Sequence, residues 1–488
     1  MSTRLYTAPA FTGLNLIDGE WTAQGSEFQT FSPSDLERHV GTYYAATTDM
    51  AEAALSAARK ALETWSKSNI QTRSDILRRT GDILIEQSAE IGRILAEEEG
   101  KILPEAIGET MRAAQVFHYF AGEALRHPGA TLPSLRNGHS VRVDHEPVGV
   151  CLMVTPWNFP VAIPAWKIAA ALAYGNTCIL KPSNFTPGCA VLLAKALEQA
   201  GLPKGVMNLL NGAGRALVPP LLAGSDALSF TGSTSAGRDL LQQGAATITK
   251  VQLELGGKNP LVILDDADLD LAVECALQGT WGQTGQRCTG SSRLIVTEGI
   301  HDAFVEKLIP RVQALKVGHA LVQGSQIGPV ANAAQFIKDQ EFIASALDDG
   351  CELVAGGKPA ETGYRGHYLE PTLFIGTRND MHLNREEVFG PVAGVIKVTD
   401  LDEAIATARD CELALSSGIC TNDLRAAEKF RRNSTAGMVM INAPTAGIEY
   451  HVPFGGRAPS GFGGAEQGTA AAHFFTEIKT TYTNHGEV

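Results

Sequence analysis

The stretch 148–181, VGVCLMVTPWNFPVAIPAWKIAAALAYGNTCILK, sets a short continuous apolar run, a helical stretch and a second apolar run one after another. The alternation continues through VMNLL (206–210), ALSFT (227–231) and VQLEL (251–255), and closes on PLVIL (260–264). Runs of this kind have no polar face to offer water. They read as parallel strands covered by helices on both sides, a doubly wound α/β sheet spanning 148–264. Pro156, Asn158, Pro160, Pro164, Lys167 and Gly175 interrupt this most apolar region, so it reads as buried globular core and excludes an uninterrupted membrane span.

Upstream, 48–122 is rich in Ala, Leu, Glu and Arg with apolar residues at helical spacing, as in AALSAARKALETW (53–65). RHPGATLPSLRNGHSVRVD (126–144) is polar and punctuated by Pro and Gly, which suits an arm leaving the core or a plain surface loop. Downstream, 269–439 carries a second α/β pattern with SRLIVTE (292–298), a helix from Asp302 and PVAGVIKVT (391–399). After Phe475 the chain alternates apolar and polar residues, predicting a terminal strand that pairs with an arm of another subunit. A chain of 488 residues exceeds one hydrophobic core, so two large domains, or one domain with substantial additions, are expected.

The net charge of −13, with no cluster of Lys and Arg, argues against a nucleic-acid partner and for a small-molecule substrate. Eight cysteines lie scattered with no CxxC pair, so they read as reduced thiols in a reducing compartment, with no metal site. The opening MSTRLYTAPAFTGLNLIDGEW (1–21) lacks an apolar core of signal-peptide length, and a cytoplasmic location is expected.

Four segments carry candidate chemistry. FTGSTSAG (230–237) joins a strand to a helix with glycines at 232 and 237, exposing backbone N–H groups where a diphosphate is favoured; an ordinary turn fits as well. GAGRAL (212–217) lacks the third glycine of the dinucleotide fingerprint. In TPWNFP (155–160) two prolines hold Asn158 in a rigid turn at a strand's C-terminal edge, either as an oxyanion donor or as a turn-former. In LELGGKNP (253–260) Glu254 closes an apolar strand beside two glycines, as a general base or a helix cap. In GQTGQRCTGSSR (282–293) Cys288 sits in a glycine- and hydroxyl-rich loop, unlike the apolar surroundings of Cys151 and Cys178, and this singles it out as a nucleophile.

These segments, in this order, resemble the aldehyde dehydrogenase superfamily from LIDGEW (16–21) to IKTTYT (478–483), with KPS (181–183), EEVFGP (386–391) and PFGG (453–456) between. The resemblance implies a Rossmann-like cofactor domain (1–125 and 148–254), an α/β catalytic domain (255–450) and a small β oligomerisation flap (126–147 and 470–488) that builds homodimers or homotetramers. It implies NAD or NADP as cofactor and an aldehyde as substrate, without a metal. Carried over by position, Cys288 is the nucleophile, Glu254 the general base and Asn158 the oxyanion ligand. Thr155, Pro156, Trp157, Lys181, Ser183, Asn184, Gly214, Phe230, Gly232, Ser233, Gly237, Leu255, Glu387 and Phe389 fall at cofactor positions.

Two departures stand out. Asn184 occupies the place, three residues after Lys181, where NAD-preferring relatives often carry glutamate, which opens the way to NADP. Ala458 replaces a basic residue after PFGG. INAPTAGIEYHVPFGGR (441–457) looks like the branch oxidising 2-oxoglutarate semialdehyde, so a cationic anchor is expected, Arg287 first and Arg112 second, with a surface or structural arginine the alternative for each. Trp166, Trp281, Tyr450 and Phe454 are candidate walls of the aldehyde tunnel, and core packing accounts for such aromatics equally well. The competing readings are a CoA-acylating dehydrogenase, against which Glu254 argues, and a non-catalytic structural relative.

Overall fold

The computed structural model describes residues 9–126 and 129–486. Residues 1–8 of the opening segment, His127 and Pro128 of the arm, and Glu487 and Val488 of the flap lie outside the described residues.

The apolar runs form five parallel strands in the spatial order Lys250–Glu254, Ala227–Thr231, Val150–Val154, Thr177–Lys181, Met207–Leu209. Side chains alternate between faces, so one strand feeds two cores. Cys151 and Met153 pack with the helices Ile70–Glu86, Leu103–Ala124 and Ala162–Ala173, while Val150, Leu152 and Val154 pack with Thr48–Trp65 and Gly214–Gly224 on the other side. This is the expected double winding. Antiparallel edge strands Asn15–Ile17 and Glu20–Thr22 complete one side, and Gly461–Phe462 the other, giving eight strands.

PLVIL departs from expectation. Its strand, Asn259–Ile263, belongs to a second sheet of seven strands, between Ser291–Thr297 and Ser416–Cys420. The chain crosses between sheets at Gly256–Lys258, where two glycines permit a sharp close passage: a Cβ on Gly257 would stand 2.7 Å from the Cys288 carbonyl oxygen. The second sheet also alternates, with Leu261 and Ile263 in one core and Val262 and Leu264 in another.

The terminal strand Thr476–Asn484 pairs along its length with His139–Pro147 of its own chain, and that strand pairs with Gly129–Pro133. The arm is thus a three-stranded sheet closed within one chain. Among the described residues no helix is long and apolar enough to cross a membrane.

Candidate active site

The strand order of the first sheet reverses between Val150–Val154 and Ala227–Thr231, which opens a crevice at their C-terminal ends. TPWNFP leaves one of these strands and FTGSTSAG the other. Ser233 caps the helix Thr234–Thr247, its hydroxyl accepting from the Ala236 N–H at 3.4 Å. A Cβ at Gly237 would approach Leu255 to 2.5 Å, so glycine lets this helix lie close to the sheet.

Lys181 ends the adjacent strand, is buried, and donates to the Gly212 carbonyl at 3.0 Å. Burial pulls its ammonium down to about 8. A Cβ on Gly214 would stand 3.9 Å from the Lys181 Cε. Ser183 accepts from the Phe185 N–H, and Asn184 is exposed at the crevice rim.

The second sheet closes this crevice. Glu387 accepts from the Gly257 N–H at 2.9 Å, and a Cβ at Gly256 would collide with the same carboxylate. Phe389, in the left-handed region at φ 67°, meets Trp157 edge to face with centroids 5.4 Å apart. The Thr155 and Thr231 hydroxyls, at the two strand ends, are buried without protein partners. An ammonium with one partner, two orphaned hydroxyls, a capped helix N-terminus and a ring pair suit the diphosphate, ribose and nicotinamide of a dinucleotide.

Cys288 lines a neighbouring cavity of about 270 Å³ together with Arg112, Phe159, Trp166, Arg287 and Phe454. The loop preceding it is strained. Gln283 and Thr284 both adopt left-handed backbone (φ 53° and 58°), as non-glycine residues rarely do. The Asn259 carboxamide holds the loop by donating to the Cys288 carbonyl at 2.7 Å and to that of Gly290 at 2.9 Å. Asn158 donates one amide N–H to the Gln286 carbonyl at 3.1 Å, two residues before Cys288. Burial, followed by the Glu387 and Glu254 carboxylates, pushes the Cys288 thiol up to about 12. The sulfur, Glu254 and Glu387 therefore share one electrostatic neighbourhood, bordered by Asn158.

Glu254 is buried with one carboxylate oxygen unpartnered. Its carboxyl is raised well above the ordinary range, chiefly by burial and then by Glu466, with Lys167 opposing. Glu466 pairs with Lys167 and accepts from the Trp166 indole at 2.6 Å and from Ser229 at 3.0 Å.

Two sequence candidates stand apart from the cavity wall. Trp281 is fully enclosed in the second core, its indole donating to the Pro391 carbonyl at 3.2 Å, so the tunnel expectation gives way to packing. Tyr450 backs the wall through Arg112, whose guanidinium carbon lies 5.8 Å from its ring centre. Lys101, Glu109, Lys167, Asn259, Gln286 and Glu466 were missed by sequence reasoning. Only Lys167, a lone charge in an otherwise apolar helix, left a visible mark.

Residues 21–481 match the Aldehyde dehydrogenase family. The alpha-ketoglutaric semialdehyde dehydrogenase of Bacillus subtilis (strain 168) is 39% identical over 477 residues, covering 96% of this chain and 98% of that protein. The betaine aldehyde dehydrogenase of Staphylococcus aureus in complex with NAD+ superposes with a TM-score of 0.94 at 33% identity, covering 97% of this chain and 95% of that one. An NADP-dependent enzyme of E. coli superposes with a TM-score of 0.94 at 36% identity, over 97% and 98% of the two chains.

Proposed function

The chain belongs to the aldehyde dehydrogenase family and oxidises aldehydes with NAD(P); we propose that its aldehyde is a small acidic semialdehyde of the 2-oxoglutarate semialdehyde type, converted to the carboxylate through a thioester on Cys288.

The observation that carries the substrate reading is the pair of guanidinium groups on the cavity that holds Cys288. Arg287 donates to Gln283 at 2.9 Å and faces Glu105 at 3.9 Å. Arg112 keeps a buried Nε without a partner, a donor that a substrate carboxylate would satisfy. Glu105 and Glu109 line the same cavity, but Glu105 faces Arg287 and Glu109 is paired with Lys101, so the open donor of Arg112 is what favours an anionic tail over the quaternary ammonium of betaine aldehyde.

In the proposed reaction the ionised fraction of Glu254 takes the Cys288 proton, and the sulfur attacks the aldehyde carbon. The carbonyl becomes an oxyanion, which the free amide N–H of Asn158 stabilises; losing such a donor costs about 10²–10³ in rate. Lys181, Ser233, Glu387 and Phe389 would hold an oxidised nicotinamide dinucleotide, which would accept the hydride that leaves the aldehyde carbon as the oxyanion collapses to the thioester. After passing that first proton to solvent, Glu254 removes a proton from the water that attacks the thioester, and the acid leaves as the carbon–sulfur bond breaks and Cys288 departs as the thiolate.

The test is kcat/KM on an acidic, a neutral and a quaternary-ammonium aldehyde. The acidic one is expected to lead, and Arg112→Ala and Arg287→Ala to raise its KM about tenfold or more while sparing the neutral one. A lead for betaine aldehyde, or an unchanged acidic-to-neutral ratio in both variants, overturns the proposal.

A further inference from the structure

Lys101 belongs to none of the motifs above, yet it is 1% exposed and its ammonium is engaged on three sides. Nζ donates to Glu109 Oε2 at 2.6 Å and to the main-chain carbonyl of Asn158 at 2.7 Å, and stands 4.3 Å from the centre of the Phe159 ring. The other Glu109 oxygen accepts from the N–H groups of Val161 at 2.8 Å and Ala162 at 3.0 Å, where the helix Ala162–Ala173 begins. The approach to Lys101 is also fixed: Gly100 ends the preceding helix in the left-handed region at φ 97°, and the Lys101 N–H donates to Glu99 at 2.7 Å.

Enclosing a charge this deeply is costly, and a hydrophobic side chain of similar length would fill the space at lower cost if packing were its only task. What the ammonium does that a methyl group cannot is fix one peptide carbonyl. That carbonyl belongs to Asn158, whose side chain is held at its far end by the Gln286 carbonyl at 3.1 Å. Lys101 clamps the backbone and Gln286 clamps the amide, so the remaining N–H of Asn158 has one direction left, across the loop that carries Cys288.

We infer that Lys101 is a positioning residue for the oxyanion site: its ammonium, oriented by Glu109, locks the Asn158 turn so that the carboxamide points at the carbonyl oxygen above Cys288. This rests on Asn158 being the oxyanion donor. Lys101 touches no reacting atom, and its effect passes entirely through Asn158.

A double-mutant cycle in the full-length enzyme tests it, with Lys101→Met and Asn158→Ala made singly and together and cofactor affinity measured alongside. Lys101→Met is expected to lower kcat about 10- to 100-fold, with KM and cofactor affinity within about threefold. In the Asn158→Ala background the same change is expected to cost less than about threefold, because the group being positioned has gone. Losses that multiply overturn the inference. A loss below about tenfold for Asn158→Ala alone overturns the oxyanion reading instead. Should Lys101→Met not fold, Lys101→Arg, which keeps the charge and misplaces the donor, is taken through the same cycle, and multiplying losses overturn the inference equally.

Discussion

The Lys167 ammonium and the Glu466 carboxylate are paired in the interior, and both act on Glu254 with opposite sign. Glu466 raises the Glu254 carboxyl and Lys167 lowers it. A base with a raised pKa is charged only at the alkaline end, so turnover limited by thioester hydrolysis should climb with pH. Glu466→Gln is expected to move that climb to lower pH and Lys167→Met to higher pH. Each variant also breaks a buried pair at about 3–5 kcal/mol, so profiles are taken well below its Tm. Shifts in the same direction would mean that Glu254 is not the titrating group.

Cys288 should be a sluggish thiol in the cofactor-free protein. Its thiol is pushed up to about 12, so the thiolate fraction is small at neutral pH and rises about tenfold per pH unit. Iodoacetamide labelling of peptides followed by mass spectrometry is expected to modify Cys288 slowly at pH 7 and much faster at pH 9. Cys151, Cys178 and Cys189, fully buried, should react only after unfolding. Rapid labelling of Cys288 at pH 7 would show that burial does not raise its thiol in this way.

The patterns that were legible in the sequence are local ones. Continuous apolar runs such as VGVCLMV and NTCILK, separated by helical stretches, marked strands covered on both faces, and the polar setting of Cys288 set it apart from the core thiols. PLVIL went to the wrong sheet because an apolar run carries no label for its partners, and the four residues GGKN look too short for a change of sheet. The clamp of Lys101 on Asn158 joins residues 57 apart and the Lys167–Glu466 pair residues 299 apart, and no local periodicity encodes either. Trp281 was misplaced for the converse reason: proximity to Cys288 in sequence hid that the helix Leu269–Trp281 buries its last turn.

Cofactor choice should reflect Lys181 and Asn184. With an exposed amide in place of a carboxylate at 184, a 2′-phosphate meets no like charge, so kcat/KM for NADP is expected to equal or exceed that for NAD. Asn184→Glu should cut the NADP value about tenfold or more. Lys181 is charged below about 8 and neutral above it, so KM for NADP should rise between pH 7 and 9 more steeply than KM for NAD. A large preference for NAD in the unmodified enzyme would refute this.

The flap is expected to assemble subunits. Ile478 and Tyr482, each 66% exposed, lie two strand repeats apart on one face of Thr476–Asn484, and Leu132 adds apolar surface on Gly129–Pro133. Edge strands carrying such surface call for a partner. Light scattering after gel filtration should give a dimer or tetramer, and Ile478→Asp with Tyr482→Asp should shift it to monomer. A monomeric parent protein would remove the flap's proposed role.

Two tryptophans give opposite expectations. Trp281 packs in the second core with its indole on Pro391, the residue that closes the segment carrying Glu387 and Phe389. Trp166 lines the cavity and donates to Glu466. Trp281→Ala opens a large void and should cost about 3–5 kcal/mol, read as a lowered Tm and urea midpoint, while kcat of the folded fraction changes little. Trp166→Phe keeps most of the volume and deletes the hydrogen bond, so its Tm should stay close to that of the parent protein. Its Glu466 carboxylate loses a donor, and the pH at which turnover climbs should move. If Trp281→Ala instead changes KM for the aldehyde with stability intact, then this ring reaches the substrate after all, and the division between core and cavity drawn at Trp281 is misplaced.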